Sequence, residues 1–267
     1  MHITITGNLG SGKSTICKIL NEKHQFEIYS TGKVQRELAS QMNMTTLELN
    51  QMMCSDPKYD HMIDDATAKI SRENKDKNII FDSRLAWHFV EHSFKVFVSV
   101  SLEVAAERVM NDARGAVEKY TSLEEAKKLL AERAATEKVR YKDIYNLNYM
   151  DFSNYDLVID ATFSPPDKIA EVILAEARKY EKTNSHPALT KMLVSPKRLI
   201  REEEIIEEDH IRLKDRIEEY SKVSYAIDTV IRVKKLDDDY MVVEGVDQAK
   251  AAYLAGTGYA PIEVLHD

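Results

Sequence analysis

Residues 7–14 read Gly7-Asn8-Leu9-Gly10-Ser11-Gly12-Lys13-Ser14, and they satisfy G-x-x-x-x-G-K-[ST] at every defined position. The glycines must let backbone N–H groups turn inward toward one point. A helix must also begin where the motif ends, so that its positive N-terminus faces the same point. The flanks comply: His2 to Thr6 reads as a short apolar strand, and Ser14 to Lys23 as a helix. The stretch predicts a triphosphate cradle built from Gly7, Asn8, Leu9, Gly10, Ser11, Gly12, Lys13, Ser14 and Thr15. Within it Lys13 would bridge the β- and γ-phosphates, and the Ser14 hydroxyl would ligate Mg²⁺. ATP and Mg²⁺ are therefore the expected cofactors.

Further strands are expected at Phe26–Tyr29, Asn78–Asp82, Lys95–Val100 and Asp156–Asp160, each short, apolar and bounded by polar turns. Longer amphipathic stretches separate them. Alternation of this kind predicts an α/β chain with a parallel sheet covered by helices on both faces. Ile79-Ile80-Phe81-Asp82 ends in an acid, as a Walker-B strand does. That places Asp82 at the carboxyl end of the sheet as the second expected metal residue beside Ser14. Thr121 to Tyr145 reads as one long charged helix opened by Ser122 and Glu125, and Ser164-Pro165-Pro166-Asp167 opens another that runs to about Tyr180.

Composition narrows the class. The chain has 267 residues, 43% hydrophobic and 31% charged, enough for a sizeable core. Its net charge of −8 argues against a nucleic-acid binder, and no apolar run is long enough to span a membrane. Met1 to Thr6 leads straight into the glycine motif without a leader-like segment, so the expected address is cytoplasmic. The two cysteines, Cys17 and Cys54, are expected as buried or half-buried free thiols.

A phosphate cradle serves several chemistries. Phosphoryl transfer to an acceptor phosphate calls for arginines, whose planar fork binds phosphate oxygens in pairs. Arg36, just past Ser30-Thr31-Gly32, and Arg84, two residues after Asp82, are both expected above the carboxyl edge of the sheet. Arg133, Glu137 and Arg140 stand at i, i+4 and i+7, on one helix face. Spacing leaves two readings open: a surface ladder of ion pairs, or a lid helix that carries cations over the transferring phosphoryl.

Taken in order, several segments resemble the cytidylate kinase-like branch of nucleoside monophosphate kinases, of archaeal type, over about Met1 to Tyr180. They are Gly7 to Thr15, Ser30 to Ala39, Asp56-Pro57, Phe81 to Ala86, Glu103 to Arg108, Glu132 to Tyr145 and Asp151 to Asp160. The resemblance implies a P-loop kinase with a five-stranded parallel sheet and a helical lid. It implies Gly32, Arg36 and Arg84 at the acceptor monophosphate, and Arg133 and Arg140 as lid and acceptor arginines. It also implies Glu137 near the sugar or base and Arg108 near the donor adenine. Lys13, Arg84, Arg133 and Arg140 are then the expected catalytic residues. Lys33, Gln35 and Ser83 depart from the family pattern, and the lid arginine expected soon after Arg108 is out of register, with Asp112 at its place and Arg114 nearby.

Glu181 to Pro187 is polar and aperiodic and reads as a linker, dividing the chain into 1–181 and 188–267. Beyond it the pattern predicts a charged helix from Lys197 to Lys222, strands near Thr229–Val233 and Tyr240–Val243, a helix from Asp247 to Ala255 and a last strand near Pro261–Leu265. Met192 to Ile200, Tyr240 to Gly245 and Ala249 to Gly256 look similar to the ParB/sulfiredoxin-like fold, a small α+β domain. In that family basic residues follow the glycine and bind phosphate. Here Gly245 is followed by Val246-Asp247-Gln248, and Lys250 is the only base left in the box, so the module reads as degenerate.

The expected reaction is ATP-dependent phosphorylation of a nucleoside monophosphate, CMP or dCMP first, with small molecules as partners and self-association left open. Two alternatives stand beside it: a regulatory ATP-binding protein without turnover, and a P-loop kinase of another small acceptor.

Overall fold

The computed structural model describes residues 1–111, 120–183 and 185–265. Chain order begins with β1 (His2–Gly7), α1 (Lys13–His24), β2 (Glu27–Ser30), α2 (Thr31–Gln41), α3 (Thr46–Ser55), α4 (Lys58–Glu73), β3 (Ile79–Asp82), α5 (Ala86–Phe89) and β4 (Phe94–Ser99). It continues with α6 (Leu102–Asn111), α7 (Leu123–Tyr145), β5 (Leu157–Asp160), α8 (Pro166–Thr183) and β6 (Lys191–Val194). The last elements are α9 (Glu207–Arg212), α10 (Lys214–Tyr220), β7 (Ile231–Leu236), β8 (Asp239–Glu244), α11 (Val246–Leu254) and β9 (Ala260–Val264).

All the named strands join one nine-stranded sheet, ordered β2-β3-β1-β4-β5-β6-β9-β7-β8. Strands β1 to β5 are mutually parallel, as expected, with Ile3 opposite both Ile80 and Phe94. The sheet does not stop at five strands, however. Strand β6 adds parallel to β5, β9 then pairs antiparallel to β6, and β7 pairs parallel to β9. Every residue of β5 is buried. A free β5 edge would bury backbone groups without partners, and β6 supplies them.

Both faces of the first strands are covered, which is why they read as continuous apolar runs. Ile3, Ile5, Val96 and Val98 pack with Ile16 and Leu20 of α1 and Ile173 of α8. Phe97 and Val158 face the other way, onto Leu85, Trp87, Tyr141 and Tyr149. A separate cluster joins Leu199, Ile227, Ile231, Val233, Ala252 and Ile262 in the C-terminal part. Tyr259 belongs to the first cluster and Ala260 to the second, so the start of β9 bridges the two.

Helix α7 begins where Ser122 accepts from the Glu125 N–H at 3.2 Å and ends at Asn146 in the left-handed region. Other boundaries differ from expectation. Helix α8 runs to Thr183, into the segment read as a linker. The charged stretch after Lys197 is not one helix. It consists of two 3₁₀ turns (Pro196–Arg198 and Glu202–Glu204), then α9 and α10, which part at Leu213. Cys17 is buried as expected, while Cys54 is exposed on α3.

Candidate active site

The glycine loop is fixed by contacts that no larger residue could make. At Gly7 (φ 155°) an added Cβ would fall 2.2 Å from the Val98 carbonyl oxygen, and at Gly10 (φ 73°) it would fall 2.6 Å from that of Ala105. Both obstacles are backbone, so neither can swing aside. Asn8 ties the loop to β4 from both of its polar ends: its N–H donates to the Val98 carbonyl at 3.1 Å, and its Oδ1 accepts from the Val100 N–H at 3.2 Å. Helix α1 starts immediately behind, at Lys13, with Gly12 in the left-handed region as its cap.

Lys13 is folded back onto that loop, donating to the carbonyls of Asn8 at 3.0 Å and Gly7 at 3.3 Å. Burial, and next the charge of Arg84, draw its pKa from the usual lysine range down to about 7. The ammonium is thus held where its charge lacks a full counter-charge, which is the condition a bound polyphosphate would relieve.

A cleft of about 610 Å³ opens above the loop. Leu9 to Ile16 form its floor, Thr31, Gly32, Gln35 and Arg36 one wall, and Asp82, Ser83 and Arg84 the back. Val104, Glu107, Arg108 and Asn111 of α6 line the opposite wall with Ser164, Pro166 and Ile169, while Arg133 and Glu137 close it from α7. Most of the residues singled out in the sequence therefore meet in one space. Among those it missed, Val104, Glu107 and Asn111 carried a legible signal, since with Arg108 they are spaced for one helix face. Ser164 carried none.

Asp82 sits at the carboxyl end of β3 and accepts from Ser30 Oγ at 2.9 Å. The same Ser30 caps α2 through the Lys33 N–H, so one hydroxyl fixes both the acid and the helix that carries Gly32 and Arg36. Asp82 and Ser14 offer an all-oxygen donor set of one carboxylate and one hydroxyl on the cleft wall. Among the described residues, no group of three or more acids, histidines or cysteines is arranged to hold a metal ion. Such a sparse set fits Mg²⁺, which keeps waters and takes further oxygens from phosphates, better than it fits a metal caged by protein.

Glu137 is the electrostatic centre. Its Oε2 accepts from Arg84 Nε at 2.8 Å and its Oε1 from Arg133 Nε at 3.1 Å, with only 2% of its side chain exposed. Burial opposes its charge, yet Arg84 and Arg133 overcome that and hold its pKa down to about 2. Arg84 also donates to the Gly7 carbonyl, and Arg133 reaches Thr46 Oγ1 at 3.3 Å. The surface-ladder reading of this helix face is thereby excluded, because α3 and the segment after β3 that carries Arg84 cover it.

Arg140 is placed differently from expectation. It does not line the cleft. Its side chain is fully buried beneath α7, 3.4 Å from Asp60, and donates to Asn50 Oδ1 and to Tyr141 OH at 2.9 Å. Its face of the helix turns past the cleft into the packing of α3 and α4, so it stands behind Glu137 as a support. Arg108 reaches the cleft from α6 and donates to the Ala161 carbonyl at 2.7 Å. Asp112 and Arg114 lie outside the described residues.

Residues 2–162 match the cytidylate kinase-like family. The chain belongs to that family. It is an enzyme of the nucleoside monophosphate kinase class. It is 35% identical over 162 residues to a cytidylate kinase of Methanococcoides burtonii, covering 61% of this chain and 88% of the relative. A cytidylate kinase of Thermoplasma volcanium is 36% identical over 178 residues, 65% of this chain and 90% of its own. The chain is also 31% identical over 196 residues, 73% of its length, to 39% of an S-adenosylmethionine-dependent nucleotide dehydratase of Lacinutrix mariniflava. The family match ends at residue 162, so everything from α8 onward lies beyond it.

In the C-terminal stretch, α11 is capped by Gly245 in the left-handed region. Lys250 is no solvated helix lysine: it pairs with Asp209 at 2.7 Å, while Asp247 pairs with Arg212 at 2.6 Å. Among the described residues, no helix is long and apolar enough to cross a membrane.

Proposed function

We propose that this chain transfers the γ-phosphoryl group of ATP to a nucleoside monophosphate, with CMP or dCMP as the acceptor. The observation that carries this reading is the single cleft that joins the glycine-loop floor to Arg36, Arg84 and Arg133, with the buried Glu137 between the last two. A floor suited to a triphosphate faces three arginines suited to a second phosphate. An acceptor phosphate is already anionic near neutral pH, so its oxygen attacks the γ-phosphorus without a general base while the bond to the β-phosphate oxygen breaks. Lys13 and the arginines hold both phosphates in line and offset the charge that builds up between them. Mg²⁺, held through Ser14 and Asp82, would supply further charge neutralisation on the donor phosphates.

The C-terminal residues 188–267 we read as a second, ParB/sulfiredoxin-like unit that no longer binds phosphate. The acid partners of Lys250 and Arg212 support this, since they occupy the bases an anion would need.

The deciding experiment is coupled ADP release with ATP, Mg²⁺ and CMP, dCMP, UMP, AMP or GMP, for wild type and Arg36→Ala. CMP- or dCMP-dependent turnover that collapses in Arg36→Ala is the expected result. ATP binding without acceptor-dependent turnover would favour a regulatory protein instead.

A further inference from the structure

The part of the chain beyond the family match holds the two walls of the cleft that face the donor nucleotide. One wall is α6, which presents Val104, Glu107, Arg108 and Asn111, and the other is the β5–α8 loop with Ser164 and Pro166. The two-residue tip of the β7–β8 hairpin, Asp237-Asp238, reaches the first: Asp238 Oδ2 accepts from the Leu102 N–H at 2.8 Å and caps α6. Arg198 grips the second. Its Nη1 donates to Asp160 Oδ1 at 3.1 Å and Thr162 Oγ1 at 3.2 Å, and its Nη2 donates to the Asp238 carbonyl. Arg198 is thus the joint between the hairpin tip and the loop.

These contacts lead directly to the cleft. The carbonyls of Thr162, itself an Arg198 anchor point, and of Ala161, between the two anchor points, accept from Arg108 Nη2 at 3.4 and 2.7 Å. Thr162 Oγ1 also accepts from the Ser101 N–H at 3.1 Å, next to the start of α6. Tyr259, just before β9, adds a third hold, donating to the Asp160 carbonyl at 3.0 Å. The anchor is closed to solvent, with side-chain exposure of 5% for Arg198 and 1% for Asp160. Arg198 also stacks on Tyr240, 5.4 Å from the ring centre. A desolvated grip of this kind fixes geometry more than it adds stability.

We infer that Arg198 and Asp238 are positioning residues for the donor nucleotide: the C-terminal unit sets the distance between the two walls that receive ATP. The acceptor wall, Gly32, Gln35 and Arg36 on α2, receives none of these contacts. The inference rests on the reading of this cleft as the ATP site, and it predicts a split between the two substrates that a general loss of stability would not produce.

The test uses the full chain in four forms: wild type, Arg198→Ala, Arg198→Lys and Asp238→Ala. ATP affinity is measured by calorimetry, KM by coupled ADP release for ATP and CMP separately, and folding by thermal melting. Loss of one buried charged contact predicts a roughly tenfold rise in Kd and KM for ATP in Arg198→Ala. KM for CMP should stay within about twofold of wild type, and Arg198→Lys should recover part of the loss. Asp238 is exposed at the hairpin tip, so Asp238→Ala should fold even if Arg198→Ala does not, and it should weaken ATP in the same direction. Unchanged ATP affinity in Asp238→Ala and Arg198→Ala overturns the inference, as does equal weakening of ATP and CMP. A wild type that binds no ATP overturns the underlying reading as well.

Discussion

Arg84 and Glu137 stand 53 residues apart in the chain and meet at 2.8 Å in a place water barely reaches. Glu137 takes Arg133 with its other oxygen, so two arginines that both face the cleft share one carboxylate and the group keeps a net positive charge. The arrangement holds the arginines ready before any anion arrives. It also means that Glu137 must share them once a phosphate enters.

Removing that carboxylate charge should therefore destabilise the empty protein more than the occupied one. Glu137→Gln leaves two poorly hydrated guanidinium groups without their partner, a loss of about 3 kcal/mol. CMP brings a phosphate to the same arginines and should raise the melting temperature of the variant by more than it raises that of wild type. The pH sense follows from the depressed pKa of Glu137. Its contribution is complete above the ordinary glutamate range and fades as pH falls toward about 2, where wild type and variant should converge in stability. Melting curves with and without CMP between pH 2 and 8 check both statements.

Lys13 gives a second signature. With its pKa lowered to about 7 in the empty cleft, much of the population is deprotonated at pH 8, whereas a bound triphosphate would favour the charged form. ATP binding at pH 8 should then take up a proton. Calorimetry in buffers of different ionisation enthalpy reads this directly, and Lys13→Met should abolish it. In the empty protein the sign is that of a depressed base: the unfolded chain binds the extra proton, so the lysine makes stability rise with pH from about 7 toward the usual lysine range.

At Gly10 the loop leaves no room for a side chain, because the Ala105 backbone lies within 3 Å of any Cβ added there. Gly10→Ala should displace the loop from α6 and weaken ATP by roughly a hundredfold, since a misplacement of about 1 Å in a positioned site is enough for that. The fold should survive, because the loop lies beyond the carboxyl end of β1 and contributes no side chain but Leu9 to an apolar cluster. Circular dichroism paired with ATP titration separates the two effects.

The glycine loop, the first five strands and the long charged helix were legible because each depends on local pattern: glycines at fixed spacing, short apolar runs, a capping serine. What covers a helix face is not local. Spacing put Arg133, Glu137 and Arg140 together, but Thr46, Asn50 and Asp60, which arrive from α3 and α4, decide that the face is buried and that Arg140 turns away from the cleft. Strand β6 escaped for a related reason. Lys191-Met192-Leu193-Val194 is too short to show a period, and its pairing with β5 depends on a chain segment 34 residues earlier. The stretch after Lys197 has helical composition, yet Pro196 starts a 3₁₀ turn and Leu213 separates two short helices, so turn geometry overrode propensity there.

The buried supports behind the cleft carry the last prediction. Asp64 lies one helical turn after Asp60 on α4 and accepts from Tyr145 OH at 2.6 Å. Burial raises its pKa to about 7 despite that hydrogen bond. The folded protein therefore binds a proton here that the unfolded chain releases near pH 4. By linkage, stability falls as pH rises from about 4 to about 7, and the cost is complete above that. Asp64→Asn removes the titration while keeping an acceptor for Tyr145. Its melting temperature should exceed that of wild type at pH 8, and the gap should shrink as pH falls toward 5. A variant that is less stable than wild type at pH 8 would show that Asp64 is ionised and paired in the folded state.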